Sequence, residues 1–273
     1  MNKPSSPSAP IDGKAAAALI EPLTELVARA GAAILAVDRS AMQVHGKIDG
    51  SPVTQADLVA DRILADGLEE LAPGIEALSE ERTRLTEPPY DNSFFLIDPL
   101  DGTREFVAGR SEFTVNLALV TGGMPLLGII AAPALGLIWR GIVGHGAQRL
   151  APGSKRAEPI RTRPFPPKGR PWIAAVSRSH GDPTTDAFIA AREGAMREVL
   201  GSSLKFAKLA EGAIDIYPRL APTHEWDIAA GCAIVAAAGG KVTDAAGGEL
   251  QFGSRATDFV VPAFIAWGDP RGC

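Results

Sequence analysis

In Ser93-Phe94-Phe95-Leu96-Ile97-Asp98-Pro99-Leu100-Asp101-Gly102-Thr103 an apolar run meets two carboxylates. The run predicts a buried strand, because it is short, rich in Phe, Leu and Ile, and bounded by a turn signal. That strand delivers Asp98 and Asp101, three positions apart, to one end of a sheet. Gly102 has no Cβ and lets the backbone approach a ligand closely. Thr103 adds a hydroxyl beside the two acids. Clustered carboxylates without Cys or His suit a hard cation such as Mg²⁺, which is held by a few carboxylates together with substrate phosphate. Asp-Pro and Asp-Gly are also turn dipeptides, so a plain turn is the competing reading of these residues alone.

Other acids lie where they would extend the cluster. Glu80 and Glu81 close a short run, 75–78, that reads as a further strand; a solvated charge pair is the alternative. Asp227 stands in Thr223-His224-Glu225-Trp226-Asp227, just before an apolar helix closed by Gly239-Gly240. A carboxylate there also complements the helix dipole. Asp57 follows Thr54 by three residues and is placed to close a capping box. His45, His145 and His224 have no zinc-ligand spacing.

Asp98-Pro99-Leu100-Asp101-Gly102-Thr103 and Trp226-Asp227-Ile228-Ala229-Ala230-Gly231 resemble the two signature motifs of the inositol monophosphatase superfamily. Ser51-Pro52-Val53-Thr54-Gln55-Ala56-Asp57, Gly109-Arg110-Ser111-Glu112-Phe113-Thr114-Val115-Asn116 and Gly201-Ser202-Ser203-Leu204-Lys205-Phe206 resemble its CysQ branch, the 3'(2'),5'-bisphosphate nucleotidases. The resemblance runs in order from about Ala16 to Trp267.

The resemblance implies a layered fold of helices and sheets with the site between two lobes. It implies Mg²⁺ as cofactor, in two or three ions. Their ligands would be Glu80, Asp98, Asp101, Asp227 and the carbonyl of Leu100, with Asp57 at a metal or its water shell. Glu80 and Thr103 would orient and activate the attacking water. Leu100, Asp101, Gly102, Thr103 and Asp227 would touch the scissile phosphate, the backbone of a short helix opening at Thr103 helping to receive the anion. His180, Ser202, Lys205 and Arg219 would contact the nucleotide. The branch continues its acidic pair with a further Asp; here Arg82 follows Glu81. The implied reaction is hydrolysis of the 3'-phosphate of adenosine 3',5'-bisphosphate to AMP and phosphate, with 3'-phosphoadenylyl sulfate as a further substrate. An inositol monophosphatase or related sugar phosphatase would carry the same metal motifs. A non-catalytic binding protein on the same fold is a third reading, against which the intact acids and Thr103 argue.

Composition sets outer bounds. With 273 residues and 46% hydrophobic content the chain builds a sizeable core, as one large domain or two lobes. A net charge of −5 offers no basic face for a nucleic-acid polymer, while a small phosphate ester remains compatible. Two cysteines, Cys232 and Cys273, indicate no disulfide framework and fit a reducing compartment. No apolar stretch approaches the roughly 18 residues of a membrane span, and residues 1–10 are Ser/Pro-rich, unlike a signal peptide. The expected setting is cytoplasmic, the resemblance allowing peripheral association with the inner membrane. Monomer and homodimer both stay open.

The expected fold class is α/β. Residues 1–10 form a disordered tail, 11–160 an α+β metal-binding lobe with an antiparallel sheet, and 161–273 an α/β lobe contributing Asp227 and substrate contacts. Helices are expected over 13–37, with Pro22 a break or the start of a second helix, and over 54–71. Residues 43–49 read as a polar loop or short hairpin. Strands are expected over 94–98, 113–121, 125–132 and 137–143, with a hairpin at Gly122-Gly123. The Pro/Arg/Lys-rich stretch 152–171 is the candidate lobe boundary. Beyond it strands at 172–176, 196–200, 213–217 and 263–267 alternate with helices at 183–192, 203–211 and 225–238.

Overall fold

The computed structural model describes residues 10–39, 44–46, 52–82, 93–166, 169–179, 181–253 and 258–272. Residues 1–9 of the tail expected over 1–10, much of the 43–49 loop, His180 and Cys273 lie outside the described residues.

Helix α1 (Gly13–Ala36) opens the described chain. It runs unbroken through Pro22, so neither the break nor a second helix occurs there. A small hairpin of β1 (Val44–Gly46) and β2 (Pro52–Thr54) leads into α2 (Gln55–Leu71). Then come β3 (Glu76–Ser79), β4 (Ser93–Asp101), the short α3 (Thr103–Val107), β5 (Thr114–Thr121), β6 (Met124–Ala132), β7 (Leu137–Ile142), β8 (Gly146–Leu150) and β9 (Glu158–Ile160). These seven strands form one sheet in chain order, parallel only between β3 and β4.

The second half runs β10 (Ile173–Ser177), α4 (Pro183–Ala190), β11 (Met196–Leu200), α5 (Leu204–Ala210), β12 (Ile216–Arg219), β13 (Thr223–His224), α6 (Glu225–Ala237), β14 (Lys241–Thr243), β15 (Val260–Val261) and β16 (Phe264–Trp267). Its main sheet has the order β11-β10-β12-β16-β14. Strands β13 and β15 form a separate antiparallel pair.

The apolar run in β4 is continuous because both faces of the strand are covered. Phe94 and Leu96 join one core cluster with residues of α5, α6 and the second sheet. Phe95 and Ile97 join another with α1 and α2. A strand buried on both faces reads as unbroken hydrophobicity and not as alternation. The layers therefore run α1/α2, seven-stranded sheet, α5/α6, five-stranded sheet, with Ile189 of α4 packed on the far face among Ala174, Ile216 and Trp267. Among the described residues no helix is long and apolar enough to cross a membrane.

Several strands depart from the sequence expectation, β13, β14 and β15 among them. The strand expected at 213–217 begins at Ile216, because the Asp215 carboxylate accepts two bonds from Arg163, at 2.6 and 2.8 Å, and one from the Ile173 amide. Strands β8 and β9 were not expected at all. β9 is an edge strand with Pro159 at its centre, and an edge tolerates proline because one side of the ladder is unused.

Candidate active site

The carboxylates of β4 are aimed by a bulge. Pairing with β5 is regular to Asp98–Asn116 and resumes at Asp101–Thr114, so three steps on β4 face two on β5. One extra residue kinks the strand and redirects its end. Asp98 is buried and accepts the Leu100 amide at 3.0 Å. Gly102 then takes φ +89°, a left-handed conformation natural to glycine, and opens the five-residue helix α3 at Thr103.

Asp57 fills its capping role and also reaches Thr103. One oxygen closes the cap of α2, accepting the Thr54 amide at 2.8 Å and its hydroxyl at 2.6 Å. The other lies 3.0 Å from the Thr103 hydroxyl. Burial pushes the Asp57 carboxyl up, while the bonds from Thr54 and Thr103 oppose that rise. The Thr103 hydroxyl also lies 3.0 Å from the Leu100 carbonyl. Thr103 is thus hydrogen-bonded to Asp57, a contact that sequence reasoning did not single out.

Glu80 begins a 3-10 turn, Glu80–Arg82, at the end of β3. Arg82 anchors that turn: its Nε lies 2.5 Å from Asp61 of α2, whose other oxygen accepts the Ser79 hydroxyl at 2.6 Å. The basic residue that replaces the branch's third acid is therefore an ion-pair partner outside the cleft.

Asp227, in the first turn of α6, accepts the His224 amide at 3.1 Å and the Thr223 hydroxyl. Ser203 joins Asp227 to Asp101. Its hydroxyl lies 2.7 Å from Asp101 and 2.8 Å from the main-chain carbonyl of Asp227. Asn116 donates to Ser203 at 2.8 Å and lies 3.4 Å from Asp101. Ser203, Asn116 and Thr223 were not singled out from sequence. A signal for Asn116 was present: with Thr114 it places polar groups two apart on one face of an otherwise apolar strand. Burial, then the charge of Asp227, push the Asp101 carboxyl up, against the pull of Lys205, Ser203 and Asn116.

Glu80, Asp98, Leu100, Asp101, Gly102, Thr103, Ser202, Lys205, Arg219 and Asp227 all line one cleft of about 290 Å³. Asp57 stands behind Thr103, outside that lining. Among the described residues no three acidic or histidine side chains are already drawn into a closed metal-holding group. Cationic groups line the same cleft. Lys205 is 3% exposed, and its ammonium lies 2.5 Å from the Ser202 carbonyl and 5.2 Å from the centre of the Tyr217 ring. Burial lowers its pKa to about 8. Arg219 gives one nitrogen to the Pro222 carbonyl at 3.0 Å, while its buried Nε has no hydrogen-bond partner among the described residues. The Ser202 hydroxyl is likewise buried without a partner, on a residue at φ +45°. Strain and unpaired donors of this kind concentrate where a ligand completes the structure.

A model described as the inositol monophosphatase family matches residues 16–267. The chain is 37% identical over 254 residues to the 3'(2'),5'-bisphosphate nucleotidase CysQ of Shigella flexneri, covering 90% of this chain and 98% of that one. The crystal structure of CysQ from Bacteroides thetaiotaomicron, a bacterial member of the inositol monophosphatase family, superposes with a TM-score of 0.73 at 30% identity, covering 92% of this chain and 97% of that one. The Thermotoga maritima IMPase gives a TM-score of 0.73 at 28% identity, covering 93% of each chain.

Proposed function

We infer that this chain, which belongs to the inositol monophosphatase family, is a 3'(2'),5'-bisphosphate nucleotidase. It removes the 3'-phosphate of adenosine 3',5'-bisphosphate to leave AMP and phosphate, and accepts 3'-phosphoadenylyl sulfate by the same chemistry. The observation that carries this reading is a cleft lined by both signs of charge. Carboxylates Glu80, Asp98, Asp101 and Asp227 line it together with Lys205, Arg219 and the unpaired Ser202 hydroxyl. A substrate with two phosphates uses both sets of groups.

The cluster of acids fits Mg²⁺. Its donors are all oxygens, and Asp101 and Asp227 repel one another in a buried setting that a cation would relieve. Glu80, Asp98, Asp101, Asp227 and the Leu100 carbonyl would hold two or three ions. When bound, Mg²⁺ supplies positive charge to the phosphate and favours the deprotonated form of a coordinated water.

The chain's own residues orient the attack. Asp57 accepts a hydrogen bond from the Thr103 hydroxyl, which leaves the lone pairs of the Thr103 oxygen free to receive a hydrogen bond from the attacking water. Glu80, across the same cleft, is the carboxylate toward which that water can release its proton. Water is the nucleophile, so the reaction passes through no covalent enzyme intermediate. Lys205 and Arg219 receive the 5'-phosphate, and Arg219 offers it the unpaired Nε. A reducing, cytoplasmic setting goes with this reading, as does the low cysteine content.

The test is phosphate release from adenosine 3',5'-bisphosphate and inositol 1-phosphate, side by side with Mg²⁺. The bisphosphate should be used far better, and Lys205→Ala or Arg219→Ala should lower its use about tenfold or more while sparing inositol 1-phosphate. A wild-type preference for inositol 1-phosphate would replace this reading with that of an inositol monophosphatase. No hydrolysis of any phosphate ester would favour the non-catalytic reading.

A further inference from the structure

Arg178 and Glu112 form a two-point ion pair between the halves of the chain. Arg178 follows the last residue of β10, and Glu112 lies in the loop that enters β5. The guanidinium Nε lies 2.6 Å from one carboxylate oxygen and Nη2 2.9 Å from the other. The same Nη2 reaches the Val199 carbonyl at 3.1 Å, and the Arg178 amide donates to Leu200 at 3.1 Å. Arg178 therefore ties Glu112 to the end of β11, immediately before Gly201 and Ser202.

Two neighbouring contacts hold the same junction. Glu105 of α3, itself buried, accepts the Ser179 hydroxyl. Gly201 lies so close to the Glu112 loop that a Cβ there would sit 2.7 Å from the Glu112 carbonyl oxygen. Lys205 adds a further tie, its ammonium lying 3.4 Å from the Leu200 carbonyl and 2.5 Å from that of Ser202.

We propose that the Arg178–Glu112 pair is a clasp that positions the Ser202–Lys205 lining of the cleft, and so sets preference for a substrate with a second phosphate. Both are positioning residues, since neither lines the cleft. The inference rests on the nucleotidase reading above. Its selectivity follows from how Ser203 is held. That residue has its own ties to Asn116, Asp101 and the Asp227 carbonyl, so the acids keep their geometry when the clasp opens. Ser202, at φ +45° with an unpaired hydroxyl, is tied through its carbonyl to Lys205 of the same segment. The pair is also partly exposed, 33% and 21% at the two side chains, so its loss costs the fold little while a planar two-point bond still fixes position.

The experiment compares wild type, Arg178→Ala, Glu112→Gln and the double variant, each with adenosine 3',5'-bisphosphate and inositol 1-phosphate. The expected result is a rise of tenfold or more in KM for the bisphosphate, a kcat within about threefold of wild type, and unchanged use of inositol 1-phosphate. The double variant should be no worse than Arg178→Ala alone, because the two residues act as one unit. Should Arg178→Ala fail to fold, Arg178→Lys keeps the charge, loses the two-point bond and reads the same KM. Equal losses on both substrates, additive effects, or an unchanged KM overturn the clasp alone. A wild-type protein that does not hydrolyse the bisphosphate overturns the nucleotidase reading and the clasp with it.

Discussion

Ser203 Oγ lies 2.7 Å from Asp101 Oδ2, a contact that crosses from the second half of the chain to the first. The same hydroxyl lies 2.8 Å from the Asp227 carbonyl, so one serine holds together the strand and the helix that carry the two carboxylates. Ser203→Ala should lower kcat/KM about 10- to 100-fold, the usual range for a residue that orients metal-ligating groups. The loss should be equal for bisphosphate and monophosphate substrates, and the Mg²⁺ concentration for half activity should rise. A loss confined to the bisphosphate would move Ser203 to the nucleotide contacts.

Thr103 and Asp57 share one hydrogen bond but differ in what else they hold. Thr103→Ala should cut turnover about 10²- to 10⁴-fold with little change in Mg²⁺ affinity. Asp57→Asn should cut it comparably and also destabilise the fold by on the order of 1 kcal/mol, because the same carboxylate caps α2. Melting curves separate the two. If Thr103→Ala lowered metal affinity alone, its hydroxyl would support the ligands and leave the water to another group.

Much of the site is legible in sequence because its acids sit in unbroken local motifs. Asp98 and Asp101 end an apolar strand marked by a following glycine, and Asp227 opens an apolar helix. The apolar run before Asp98 likewise announces a strand covered on both faces. What is not legible depends on distant partners. Asp215 leaves its expected strand because Arg163, 52 positions away, holds it. Arg82 looks like a defect in an acidic run until Asp61, 21 positions earlier, proves to be its partner. Thr103 lies 46 positions from Asp57, and only the fold brings the two together. Edge strands such as β9 escape for a different reason: one ladder side and one face are unused, so no apolar run marks them.

Asp98 is buried at the bulge, where a neutral amide of nearly the same volume keeps the packing and the backbone bond from Leu100. Asp98→Asn should therefore fold normally while losing Mg²⁺-dependent hydrolysis. Calorimetric titration with Mg²⁺ should show the weakened binding directly, and circular dichroism an unchanged fold. Near-normal activity at saturating Mg²⁺ would remove Asp98 from the ligand set.

Lys205 ties substrate preference to pH. Burial, with a smaller push from Arg219, lowers its pKa from 10.5 to about 8, against the pull of Asp101, Glu105 and Glu112. Below about pH 8 the folded protein presents an ammonium to the second phosphate; above it, a neutral amine. The ratio of kcat/KM for the bisphosphate to that for inositol 1-phosphate should therefore fall as pH rises through about 8, since kcat/KM reports the free enzyme. Stability moves the other way. An unfolded chain keeps this lysine protonated up to its ordinary value, so between about 8 and 10.5 the unfolded state binds more protons than the folded one. The lysine's contribution to stability thus rises with pH across that window and is lowest below it, where a charged group must be buried. Lys205→Met should abolish both trends, leaving a flat substrate ratio and a gentler pH dependence of melting. A wild-type ratio that stays constant from about pH 7 to 9.5 would show that the ammonium does not reach the second phosphate.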